Sequence, residues 1–192
     1  MTTTTKKFTL EEYLAYDDGT DTQYELVDGE LVEMAPETRG NSRIALYLSL
    51  EFIKLIPLHL ICYKDTEIVT IGNRPRVRLP DLMILTEELS AAIGNSRATV
   101  TLDMPSPILV VEVVSSGKTN RDRDYRYKRS EYAARGILEY WIIDPEQKQV
   151  TVLTLVDGFY EEAVFQEDNS IPSAAVPEFK LTVSQLLAAG EV

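Results

Sequence analysis

Ile108-Leu-Val-Val-Glu-Val-Val114 is a concentrated apolar run in which Glu112 is the only charge, and Pro105 and Pro107 fence it off upstream. Apolar residues at both odd and even positions imply a strand buried on two faces, at the centre of a sheet. Downstream, Asn120 to Arg135 reads as a charged helix ended by Gly136. Strands follow at Leu138 to Asp144, Gln149 to Val156 and, past the Asp157-Gly158 turn, Phe159 to Phe165, with a closing helix at Thr182 to Ala189.

Upstream, Thr9 and Glu12 have capping-box spacing and open a helix over Leu10 to Tyr16. Asp28-Gly29 between Gln23 to Val27 and Glu30 to Met34 predicts a hairpin. Asn41 to Ile56 carries a wide apolar stripe at helical spacing and is stopped by Pro57. Strands are predicted within Leu58 to Ile71 and Arg76 to Leu85, with Gly72-Asn73 as the turn between them and Glu87 to Leu102 as a linker or short helix. The fold class is therefore α/β (α+β), a mixed central sheet flanked by helices with an N-terminal helix and β-hairpin.

The 192 residues suit one domain and carry a net charge of −12. That charge is uneven: residues 1–37 and 136–192 each hold 10 acids and 2 bases, and residues 38–135 hold 11 acids and 15 bases. Broad coating of nucleic acid is disfavoured, and a polyanion site belongs in the middle. One cysteine and one histidine, Cys62 and His59, rule out an internal disulfide and nearly exclude a structural zinc site. Cys62 and Trp141 read as core residues, and His59 as core or sheet edge. No run approaches the ~20 apolar residues of a membrane span, and Met1 to Lys7 lack the pattern of a secretory signal, so a cytoplasmic location is expected.

Two carboxylates stand where structural acids are costly. Asp81 follows Pro80 into the apolar run Leu82 to Leu85, and Glu112 lies inside its buried strand. If they converge, each raises the other's pKa and a divalent metal is a natural counterion; otherwise Asp81 caps a turn and Glu112 pairs with an arginine. Nearby in sequence, Lys118, Arg121, Arg123, Arg126, Lys128, Arg129 and Arg135 interleave with Tyr125, Tyr127 and Tyr132, and Arg74, Arg76 and Arg78 precede Asp81. These ten bases read either as a phosphate-accepting groove or as a solvated face with internal pairs such as Asp124 with Lys128.

Arg78-Leu-Pro-Asp81-Leu, Val110-Val-Glu112-Val-Val-Ser115, Arg123-Asp124 with Lys128 and Tyr132, Gly136-Ile-Leu-Glu139-Tyr-Trp-Ile-Ile-Asp144-Pro and Tyr24-Glu-Leu-Val-Asp-Gly-Glu30 together resemble the Uma family of the PD-(D/E)XK, restriction-endonuclease-like nuclease superfamily. The likeness spans Phe8 to Leu187, making residues 8–187 one domain and 1–7 a flexible N-terminus. It implies a restriction-endonuclease-like core and Mg²⁺-dependent hydrolysis of DNA phosphodiesters, with Mn²⁺ as a substitute, no organic cofactor and a homodimer. Asp81 and Glu112 then take the metal-holding positions, the carbonyl of Val113 is a further ligand, and Glu25 is an additional acidic member. The superfamily's lysine is due two residues after Glu112, where this chain has Val114; Lys128 on the following helix is its expected replacement. Asn41 stands where the family often has histidine, and Ser115-Ser116 where it commonly has Ser-Pro. A second reading stays open, a non-catalytic nucleic-acid-binding or assembly module on the same fold. A serine hydrolase using Ser115 or Ser116 is disfavoured for want of a positioned base.

Overall fold

The computed structural model describes residues 6–94 and 97–191; Thr2 to Thr5, with the rest of residues 1–5 of the expected flexible N-terminus, lie outside it. Lys6 pairs with Glu12 and Lys7 with Glu30. Helix α1 (Leu10–Leu14) opens on the expected capping box of Thr9 and Glu12. Strands β1 (Tyr24–Val27) and β2 (Glu30–Glu33) form the hairpin, with Asp28 and Gly29 both at positive φ, as a two-residue turn that matches strand twist requires. Helix α2 (Arg39–Ile53) starts two residues earlier than expected because the Thr38 hydroxyl accepts from the Asn41 amide.

The two long strand predictions are each broken. Leu58–Leu60 is a 3-10 turn, followed by β3 (Ile61–Cys62) and β4 (Glu67–Thr70). The stretch Arg76 to Leu85 divides into β5 (Arg76–Arg78) and β6 (Leu82–Ile84), because Pro80 has no amide hydrogen to offer a ladder. Then come α3 (Glu87–Ile93), β7 (Thr99–Val100) and β8 (Leu109–Val113), the strand expected to be central. The charged helix is three segments, α4 (Lys118–Asp122), a π-helical turn over Arg123–Lys128, and α5 (Arg129–Arg135), closed by Gly136 at φ 80°. Strands β9 (Glu139–Asp144), β10 (Gln149–Val156) and β11 (Phe159–Gln166) and helix α6 (Val183–Ala188) complete the order.

The strands form two mixed sheets, β2-β1-β5-β4-β7 and β11-β10-β9-β8-β6-β3. In the larger one β8 runs parallel to β9 and antiparallel to β6, so the helical segments α4 to α5 are the crossover between parallel neighbours. All five β8 residues are buried. Leu109, Val111 and Val113 face α2 and the C-terminal segment, whereas Val110 and Val114 face Tyr132, Tyr140 and Ile142. Glu112 shares the second face by strand alternation, so the helical crossover lies over it. Trp141 and Cys62 are buried as expected. His59 is not; it lies exposed on the 3-10 turn, 2.9 Å from Glu87, because the apolar segment around it turns at the surface instead of entering a strand.

Candidate active site at the seam between the sheets

Leu79-Pro80-Asp81 carries the chain from the small sheet to the large one, and Asp81 sits at that seam. Its Oδ2 accepts from the Val113 amide at 2.7 Å, and its Oδ1 lies 3.3 Å from the Lys64 ammonium. Asp81 is thus bound to the strand that carries Glu112 and does not cap a turn. A β residue projects its N–H and C=O from one strand edge, so the Val113 carbonyl, the expected metal ligand, lies on the edge that faces Asp81.

Glu112 pairs with a lysine, not an arginine. Its Oε2 is 2.8 Å from Lys128 Nζ, and its Oε1 accepts from the Tyr132 hydroxyl at 2.7 Å. Lys128 and Tyr132 stand four residues apart on the crossover, one on the π turn and one on α5. Val114, where the superfamily lysine is absent, is packed into the apolar cluster on that face, and the ammonium arrives from above the strand. Lys128 Nζ also lies 3.5 Å from Glu25 on β1 and 3.7 Å from Asp124. The four named site residues Asp81, Glu112, Lys128 and Glu25 are therefore brought to one place from both sheets and the crossover.

Behind them, Arg78 at the end of β5 forks two buried acids: its Nη1 is 2.8 Å from Glu25, and its Nε and Nη2 are 2.7 and 2.8 Å from Glu131. Burial alone would raise the Glu25 carboxyl, but Lys128 and Arg78 hold it down at about 2. Glu112 behaves oppositely. Burial, with Asp81 and Asp124 adding, pushes it up to about 8 against the pull of Lys128. Lys128, facing three carboxylates, stays protonated above its ordinary range despite its burial. Burial raises the Asp124 carboxyl as well, so protons taken up by the cluster are shared between Glu112 and Asp124, and the ammonium is the last to give one up.

Sequence reasoning missed Glu131, Tyr132 and Asp124 as site members, though the spacing Asp124, Lys128, Tyr132 puts three polar groups at four-residue intervals. The Asp124 side chain is 1% exposed, with Oδ1 3.2 Å from Arg123 Nε. Its Oδ2 is a buried oxygen without a hydrogen-bond partner among the described residues. Lys64 and Glu37 were also missed, since only folding brings their loops to Asp81. Asn41, in the family's histidine position, donates to the Val114 carbonyl at 3.1 Å and ties α2 to the end of β8. Most of the basic run is committed inside the molecule. Arg76 pairs with Asp28 and Glu131, Arg121 with Asp144, Arg129 with Glu162, Lys118 with Asp122, and Arg135 with main-chain carbonyls.

Asp81 and Glu112 fit a hard divalent cation in kind: both are oxygen donors, and the Asp81 carboxylate is bonded to the amide of the residue that follows Glu112. Among the described residues no three His, Cys, Asp or Glu side chains form a ready-made cage. Such a cation would complete its shell with main chain, water and phosphate, as Mg²⁺ commonly does.

A buried strand bearing the glutamate, the aspartate at the mouth of its neighbour and a parallel crossover above them define a restriction-endonuclease-like fold. A crystal structure described as a putative nuclease belonging to DUF820, from Anabaena variabilis, has this fold with a TM-score of 0.70 and 18% identity, over 95% of this chain and 99% of that one. An uncharacterized protein of Synechocystis sp., sll1609, is 27% identical over 130 residues, which cover 65% of this chain and 68% of that protein. The family described as "Uma2: Putative restriction endonuclease" matches residues 10–184, and the chain belongs to that family. No helix among the described residues is long and apolar enough to cross a membrane.

Proposed function

We propose that this protein is a metal-dependent endonuclease that hydrolyses DNA phosphodiester bonds, acting as a homodimer with Mg²⁺ or, in its place, Mn²⁺. The observation that carries the reading is the convergence of Asp81, Glu112 and Lys128 from three distant parts of the chain. Asp81, Glu112 and the Val113 carbonyl would hold the ion, which when bound makes a water more acidic and offsets charge on the scissile phosphate. Tyr132 and Lys128 fix the Glu112 carboxylate between them, so no reorganisation is needed when charge develops. Glu25 and Asp124 hold the Lys128 ammonium in register, and Arg78 neutralises what Glu25 and Glu131 leave over.

The test is incubation of supercoiled DNA with Mg²⁺, Mn²⁺ or EDTA. Metal-dependent cutting is expected, absent in Asp81→Asn and Glu112→Gln, and reduced at least about a hundredfold in Lys128→Met. One observation favours the second reading, a binding module on the same fold: both Glu112 oxygens already have partners. Duplex binding that survives Asp81→Asn, with no product under any metal, selects it.

A further inference from the structure

Two lysines reach the carboxylates of this site, and they differ in what else they can reach. Lys128 is 2% exposed and ringed by Glu112, Glu25 and Asp124, so it cannot touch a substrate unless the whole cluster opens. Lys64 approaches Asp81 from the other side, with 24% of its side chain exposed. It lies on the bend between β3 and β4, at a φ of 55° that lysine rarely adopts. Tyr63, whose ring is 5.6 Å from the ammonium, is anchored by its hydroxyl to the Ser42 carbonyl of α2 at 3.2 Å. Glu37, just before α2, accepts the ammonium's hydrogen bond, and the contact with Asp81 is the looser of the two. The loop therefore holds an unfavourable backbone conformation that delivers a half-buried cation to Asp81, as strained positions at functional sites do.

We infer that Lys64 is the substrate-facing lysine of this site, resting on Asp81 in the free protein and transferring to a nucleic-acid backbone phosphate when a metal occupies that carboxylate. This rests on the nuclease reading above. The Lys64–Asp81 separation of 3.3 Å is looser than the 2.7 Å from the Val113 amide to the other oxygen. A divalent ion on Asp81 repels the ammonium, and a compact cation on a flexible stem exchanges a carboxylate for a phosphate without rebuilding the loop. Lys128 then acts as a positioning residue for Glu112, and the two roles are divided between two lysines.

The test uses the full chain and the variants Lys64→Met and Lys64→Arg. Mn²⁺ binding is measured by calorimetry without nucleic acid, and binding of a short labelled duplex by anisotropy in Ca²⁺, a larger hard ion that takes the same class of oxygen ligands. Lys64→Met is expected to bind Mn²⁺ at least as tightly as the natural protein, because a competitor for Asp81 is gone. Its duplex affinity is expected to fall about tenfold, with the log-log salt slope shallower by about 0.9, and Lys64→Arg to recover most of both. Unchanged duplex affinity and slope in Lys64→Met, with Asp81-dependent Mn²⁺ binding intact, overturns this inference alone. Loss of Mn²⁺ binding in Lys64→Met also overturns it, since Lys64 would then merely support Asp81. Mn²⁺ binding by the natural protein that is absent, or that persists in Asp81→Asn, overturns the nuclease reading and this inference with it.

Discussion

At the scale of single residues, the site is an arrangement of buried charges in which each acid has been assigned a cation. Arg78 is the clearest case, 3% exposed and shared by Glu25 and Glu131. Arg78→Met would leave two carboxylates enclosed without their partner and should cost about 3–5 kcal/mol, read as a lower urea midpoint at unchanged m. Glu112 gives a pH signature. Its carboxyl is raised from 4.5 to about 8, so its contribution to stability is complete below pH 4.5 and is lost as pH rises through about 8. Metal affinity should move the opposite way, because a neutral carboxyl is a poor ligand. Mn²⁺ titrations between about pH 6 and about pH 9 should tighten with pH, and Glu112→Gln should abolish that trend. Glu112 was legible in sequence because a lone charge in a strand buried on both faces demands a partner. Lys64 and Glu37 were not, since nothing local distinguishes a surface lysine from one folded against Asp81.

At the scale of elements, the crossover decides which groups meet. The π turn over Arg123–Lys128 points Asp124 and Lys128 inward together, while Tyr127 within it is 59% exposed. Deleting Tyr127 should let the segment relax to an α-helix in which Asp124 and Lys128 stay neighbours, three residues apart, while the pair shifts in register against Glu112. Cleavage should then be lost while far-UV circular dichroism stays close to that of the natural protein. The charged run ended by Gly136 made the helix itself legible but not this turn, because a single inserted residue leaves the pattern on either side unchanged. The break at Pro80 is of the same kind. An apolar run with one proline reads as a weak strand, yet here that proline marks the passage between two sheets.

At the scale of the whole molecule, the basic run promised more than it delivers. With Arg76, Arg121, Arg129 and Arg135 bound internally, the candidates that remain exposed near the site are few, Arg74, Lys118 and Arg126 among them. Duplex affinity should therefore depend on salt with a modest log-log slope of about −3, measurable by anisotropy over a salt series. The order of the elements was readable because each carries its own cap, turn or breaker; the division into two sheets was not, because strand pairing is settled by distant partners. That division has a consequence in time. The cluster joins residues 25, 78, 81, 112 and 128 and closes only when the hairpin, the seam and the crossover have all found one another. Loop-closure entropy delays such long-range contacts, so a chain emerging from the ribosome passes through folded-looking stages that hold no assembled centre, and chemistry waits for the last of these segments to arrive.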